Sequence, residues 1–269
     1  MITYIPDGTE EQAAISRTTH LAISAHQDDI EFMAYAPIAE CFGAPDKWFG
    51  AIVVTDGAGS PRSGLYADYT DEQMKKVRIV EQKKAAMVGE YGFLAMLSHP
   101  SKEVKDAGNA KIVEELAGLI RKAKPRYLYT HNLADKHETH VATALRVIEA
   151  LRLLRPEERP EKVYGCEVWR DLDWLCDDEK VYLDCSPHPN LMRCLSAVFD
   201  SQIAGGKRYD LAAEGRRLAN ATFSASHACD TYSALNYAMD LTPLMDEKID
   251  IADYIAGFID RFKAQVEED

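Results

Sequence analysis

Two short segments concentrate the residues that can do chemistry. The first is His26-Gln27-Asp28-Asp29-Ile30-Glu31. The second runs from His131 to His140 and holds Asp135 and three of the chain's eight histidines, His131, His137 and His140. Imidazole nitrogen and carboxylate oxygen are typical zinc ligands, and a catalytic zinc site commonly uses three protein ligands and leaves one position for water. Each segment also has a plainer reading. Asp28 with Glu31, and Asp135 with Glu138, have capping-box spacing, so each acid could simply start a helix. Capping leaves His26, the second acid Asp29 and the three later histidines without a task. Once a helix starts near Asp135, His137 and His140 share a face at i, i+3, and Asp135 stands close enough in sequence to orient His137. His137-Glu138-Thr139-His140 is one residue short of the HExxH zinc helix.

The elements that must position these residues alternate along the chain. His20–Ala25, Phe49–Thr55, Phe93–Leu97, Arg126–Thr130, Lys162–Trp169 and Lys180–Asp184 read as strands. Residues 29–42, 72–90, 110–123, 141–154, 190–223 and 246–266 read as helical. Such alternation predicts right-handed crossovers and an α/β fold, Rossmann-like with three α/β/α layers and a mostly parallel sheet. The domain expectation is one domain over 1–269, with a core of about 15–160 and a C-terminal extension over 161–269. His26, Asp28 and Asp29 follow the first strand, Asp56 the second, His99 the third and His131 to His140 the fourth. Open α/β sheets bind ligands at these carboxyl ends. With the strand order 3-2-1-4-5, the two richest clusters face each other across one crevice. The loop from Asp56 to Asp71 exceeds the usual connection length, which marks it as functional, and makes Asp56 and Arg62 the candidate substrate contacts.

Composition narrows the partners. Lys and Arg total 31 against 44 Asp and Glu, a net charge of −13, which argues against nucleic acid, whose binders show a basic footprint. No apolar run approaches the ~18 residues of a membrane span, and the polar N-terminus lacks a signal-peptide shape, so a cytoplasmic location is expected. The six cysteines form no Cys-x-x-Cys pair, as expected of reduced thiols. There is no G-x-S-x-G elbow, and Gly205-Gly206-Lys207-Arg208 lacks the leading glycine and hydroxyl of a P-loop.

Ala25-His-Gln-Asp-Asp-Ile-Glu-Phe32 resembles the AHPDDxE motif of the PIG-L/LmbE family of zinc-dependent N-deacetylases, and Asp135-Lys-His-Glu-Thr-His-Val141 resembles its D-x-H-x-D-H-x-x-V motif. Arg78-Ile-Val-Glu81 with Ala85, Ala86 and Gly89 is similar to the family's RxxE helix, and Thr55-Asp56-Gly57 to its T-x-G turn. The resemblance covers about residues 20–170, with a weaker echo at Ser201-Gln202. Gln27 stands where the family has proline, and Thr139 where it has an acid.

The resemblance implies that His26, Asp29 and His140 bind Zn2+, that Asp28 is the general base, and that His137 stabilises the oxyanion as imidazolium. It implies hydrolysis of the N-acetyl group of an N-acetylglucosamine-type conjugate, a small-molecule partner, and the homo-oligomers that the family often forms. Fe2+ or Co2+ would suit the same nitrogen and oxygen donors. Two other classes stay open. One is a non-catalytic sugar- or metal-binding protein. The other is a receiver-like Mg2+ pocket of Asp28, Asp29 and Asp56, although no lysine follows a fifth strand where that site needs one.

Overall fold

Five apolar runs form the middle of an eight-stranded sheet. In the computed structural model, which describes residues 1–225 and 227–268, these are β2 (His20–Ser24), β3 (Phe49–Thr55), β4 (Phe93–His99), β5 (Tyr127–His131) and β6 (Lys162–Cys166). They are parallel and lie in the order β4-β3-β2-β5-β6, which is the expected 3-2-1-4-5. Every residue of β2 and β3 is buried, as parallel strands covered on both faces should be.

Three antiparallel strands finish the sheet. β1 (Ile2–Tyr4) pairs with β4 at one edge. At the other, β8 (Leu235–Asp240) inserts between β6 and β7 (Val181–Asp184). β1 and β8 are absent from the strands expected from sequence. Three residues are too short to show a period, and β8 is buried for all but its last residue, so it has no polar alternation to announce it.

Helices cover both faces, giving three layers. On one side α1 (Glu11–Ser16), α5 (Ser101–Val104), α6 (Ala110–Ala123), α7 (Glu138–Arg152) and α11 (Ile251–Glu268) pack through Ile15, Val104, Leu116, Val147 and Phe258. On the other, α2 (Asp29–Met33), α3 (Tyr35–Cys41), α4 (Asp71–Val88) and α8 (Pro189–Ala197) pack through Ile30, Ile38, Ala85 and Leu195. The expected helix over 29–42 is two helices, broken at Ala34 (φ −120°, ψ 29°). Pro37 explains the break, because its ring would collide with the carbonyl of residue 33 inside a continuous helix. The expected helix over 190–223 is also divided, into α8, α9 (Asp200–Ile203) and α10 (Tyr209–Phe223). Gly205 and Gly206, the latter at φ +87°, turn the chain between α9 and α10. Among the described residues, no helix is long and apolar enough to cross a membrane.

The C-terminal strands are stitched to β6 by Glu167. Its carboxylate accepts hydrogen bonds from Asn220 Nδ2 (2.6 Å), Tyr237 N (3.0 Å) and Leu172 N (3.1 Å). Burial outweighs these donors and pushes its pKa up to about 7. A carboxyl raised above its unfolded value of 4.5 favours the native state most when protonated, so its contribution is lost as pH rises from 4.5 to about 7. Glu167→Gln does not titrate. Relative to wild type, this variant should therefore gain about 3 kcal/mol between pH 4 and pH 8, read as denaturant midpoints at each pH. A stability difference that does not change with pH would contradict a carboxyl raised by burial.

Candidate active site

β2 and β5 are neighbours, so the loops that leave them meet. Three side chains converge there: His26 between β2 and α2, Asp29 at the start of α2, and His140 in the first turn of α7. His26 Nδ1 lies 3.1 Å from Asp29 Oδ2 and 3.2 Å from His140 Nε2, and His140 Nε2 lies 3.3 Å from Asp29 Oδ1. One donor atom from each lies within 4.8 Å of the others. Two imidazole nitrogens pointed at one another beside a carboxylate have too few protons to bond in every direction, and a divalent cation resolves that arrangement. The two-nitrogen, one-oxygen donor set fits Zn2+ and the neighbouring transition metals. Burial disfavours charge on Asp29, but the His140 and His26 charges prevail and hold it well below the usual carboxylate range.

Asp28 takes no part in that cluster. It is buried, its backbone sits at φ +93°, and it makes no capping bond, so the capping reading of Asp28 and Glu31 does not hold. Positive φ in a residue with a Cβ costs of order 1–3 kcal/mol and persists only where neighbours enforce it. Here the neighbours are on α4. Gln82 Oε1 accepts from Asp28 N (3.2 Å), and Arg78 Nη2 donates to Gln27 O and to Asp28 Oδ2 (2.9 Å). Gln27, in place of the family's proline, donates from Nε2 to Thr55 O (3.0 Å) and so ties the turn to the end of β3. Gly57 beside it sits at φ +75°, a left-handed conformation that favours glycine. Glu31 instead accepts from Gln82 Nε2 (2.8 Å) and Tyr91 Oη (2.7 Å). Burial raises Asp28 to about 6, against the pull of Arg78 and with the help of Asp29.

His140 is sandwiched between two other rings, with centroids 4.0 Å away at His131 and 4.4 Å at His137. His131 is buried, and its Nε2 accepts from Ala25 N (2.9 Å). Asp135 is placed differently from the expectation that it orients His137. Its Oδ1 accepts from the His137 main-chain N–H (2.9 Å), while Oδ2 lies 3.6 Å from His140 Nδ1 and accepts from Trp169 N (3.1 Å). The carboxylate therefore backs His140, because the turn that starts α7 at Glu138 puts the His137 ring outward. Burial, then the His140 and His26 charges, push His137 down to about 4. That direction favours the neutral ring over the imidazolium that the resemblance implies.

His26, Asp28, Asp29 and His137 open into a cavity of about 320 Å³. Gly57, Gly59, Ser60 and Pro61 of the long loop form part of its rim. Asp56 and Arg62, the expected substrate contacts, do not line it. Asp56 is 3.1 Å from Lys75 Nζ and accepts from Ala58 N. Arg62 donates to Ala58 O (2.9 Å) and Asp71 Oδ1 (2.6 Å). The loop's own turns and α4 have claimed both charges. Phe32, Trp169, Tyr209, Arg216 and Arg217 also line the cavity, and sequence reasoning missed all five. Gln82 had a findable signal: it lies at i+4 from Arg78, a polar stripe on a buried helix face. The wall residues share no local pattern.

Two readouts check this geometry. His140→Ala and Asp29→Ala should each abolish stoichiometric binding of zinc, while Asp28→Asn should keep it. Asp135→Asn should weaken zinc about 10–100-fold, the usual effect of removing a carboxylate behind a ligating imidazole. Chelator competition followed by elemental analysis measures both. Unchanged zinc affinity in Asp135→Asn would mean that this carboxylate does not support His140.

A protein-family model described as GlcNAc-PI de-N-acetylase, PIG-L, matches residues 21–151. No curated protein sequence matches the chain. Among solved structures, the 4-carboxy-2-hydroxymuconate hydratase of Pseudomonas putida is similar at 16% identity and TM-score 0.62, with 84% of this chain and 97% of that chain covered. A conserved protein of Thermus thermophilus is similar at 17% identity and TM-score 0.64, over 84% of this chain and 96% of that one. The N,N'-diacetylchitobiose deacetylase of Pyrococcus horikoshii is similar at 13% identity and TM-score 0.60, over 82% and 83%. At these identities the structural likeness speaks for the fold, while the family match spans both motifs that carry His26, Asp29 and His140. Residues 21–151 of this chain are thus similar to the PIG-L family, over the segment that holds all three converging side chains.

Proposed function

We propose that this protein is a zinc-dependent N-deacetylase acting on a small N-acetylated amino-sugar conjugate. The observation that carries the reading is the separation of tasks in one cavity. His26, Asp29 and His140 converge as ligands, while the adjacent Asp28 points elsewhere and is held by Arg78. The similarity to a diacetylchitobiose deacetylase supports the substrate class. Fold alone does not decide, since the same architecture also serves a hydratase.

When bound, the metal would polarise water and the acyl oxygen and lower the pKa of that water towards neutrality. The residues of this chain supply the rest. Asp28, raised to about 6, is poised to take a proton at neutral pH, since an efficient general base titrates near its working pH. As the water oxygen bonds to the acyl carbon, Asp28 accepts the proton. It returns that proton to the nitrogen as the C–N bond breaks, leaving acetate and a free amine. His137, facing the cavity, offers an N–H to the oxygen that gains charge, a contribution of a few kcal/mol at such sites. Arg78 and Gln82 keep Asp28 in its strained backbone geometry.

The test is amine release from a panel of N-acetylglucosaminides by protein of measured metal content. Asp28→Ala should lower turnover by about 10²–10⁴ with zinc retained. Zinc binding without amine release from any of them would instead favour a binding protein. Loss of all zinc in Asp28→Ala together with its retention in His140→Ala would overturn the division of roles.

A further inference from the structure

Two arginines that line the cavity, Arg216 and Arg217, have no carboxylate at ion-pair distance among the described residues. Arg217 on α10 is 1% exposed and lines the cavity. Its Nε donates to Asn236 Oδ1 (2.8 Å), and its Nη2 donates to Glu31 O (2.8 Å) and Phe32 O (2.9 Å). All three acceptors are neutral, and Nη1 has no partner among the described residues. Arg216, half-buried beside it, donates to Val168 O, with Trp169 O at 3.5 Å. Neither guanidinium has a carboxylate within 4.0 Å among the described residues, although the chain has 44 acids for 31 bases. The acid that faces them in the cavity, Glu167, is held by three N–H donors from elsewhere. Lys207, also without an ion pair among the described residues, lies 5.3 Å from the centre of the Trp169 ring. A buried cation without a partner is expensive, and evolution rarely leaves one where a carboxylate could stand.

We propose that Arg216 and Arg217 form an anion-binding subsite that recognises a carboxylate or phosphate group on the substrate, in the same cavity as the metal ligands. The geometry suits one molecule spanning both. Arg217 grips the main chain of α2 at Glu31 and Phe32, within a turn of Asp29. Phe32, Tyr209, Trp169 and His137 line the same cavity, with successive ring centroids 5.7, 5.8 and 6.2 Å apart. Successive rings are turned by 55°, 81° and 38°, an aromatic lining on which a sugar could stack against one ring, with the acyl group at His137 and the anion at α10. A guanidinium suits both oxyanions as a permanently charged donor, and Arg217 Nη1 is the group not already committed to a main-chain or amide acceptor.

The inference rests on the deacetylase reading only for the position of the acyl group, so the test uses unreactive probes. Calorimetric titration of the metal-loaded protein compares glucosamine with glucosamine 6-phosphate and with muramic acid, which carries a carboxylate. Wild type should bind at least one anionic probe about tenfold or more tightly than glucosamine. Arg216→Gln should bring that ratio close to one, and Arg217→Lys, which keeps the charge, should lower it less than Arg217→Gln. A phosphate-only or carboxylate-only preference identifies the anion and upholds the subsite. Equal binding of neutral and anionic probes, or a preference unchanged in Arg216→Gln, overturns it, even if the enzyme releases amine from N-acetylglucosaminides. Conversely, an arginine-dependent preference with no amine release from any acetylated counterpart upholds the subsite and overturns the deacetylase reading.

Discussion

A buried guanidinium, Arg78, ties together parts of the chain that sequence places far apart. It is 1% exposed and bridges Asp28 and Glu81 while holding the carbonyl of Gln27. Glu81 in turn accepts from Ser201 N (2.7 Å) and Ser201 Oγ (2.8 Å), which fixes the start of α9. One charge thus joins the turn after β2, the middle of α4 and the C-terminal segment. Removing one partner of such a buried pair commonly costs 3–5 kcal/mol, because the other charge is left uncompensated. The arrangement explains why an aspartate tolerates a backbone conformation that its Cβ disfavours.

The same economy governs the two adjacent acids. Asp28 and Asp29 are consecutive and both buried, yet their environments differ. Asp29 faces two imidazoles, which keep it ionised as a ligand must be. Asp28 faces a single guanidinium and a neighbouring negative charge, and burial leaves it near 6. Two carboxyl groups pushed apart in this way can divide the work of ligand and base. The sharp turn at Asp28 sends the two successive side chains in different directions.

Much of this was legible in the chain itself. Parallel strands betray themselves by continuous apolar runs, so β2 to β6 and their order followed from pattern and a common topology. His26, Asp29 and His140 sit in two dense local motifs, and the structure brings them within 4.8 Å. The partners of Asp135, Asp56 and Arg62 were not legible. Asp135 was assigned by its spacing to His137 and the other two by their long loop, whereas a side chain bonds what lies nearest in space: the main-chain N–H groups of His137 and Trp169 for Asp135, Lys75 for Asp56, Asp71 for Arg62.

The chain alone therefore determined which residues could ligate and where strands end, because ligand chemistry and burial on both faces leave marks within a dozen residues. Tertiary structure decided how those residues are used. The strain at Asp28 depends on Gln82, 54 residues away, and the support of His140 depends on the turn that aims Asp135. The cationic and aromatic wall depends on α10 folding back across the mouth of the sheet. Such contacts follow from which surfaces pack together, a property of the whole fold that no local spacing encodes.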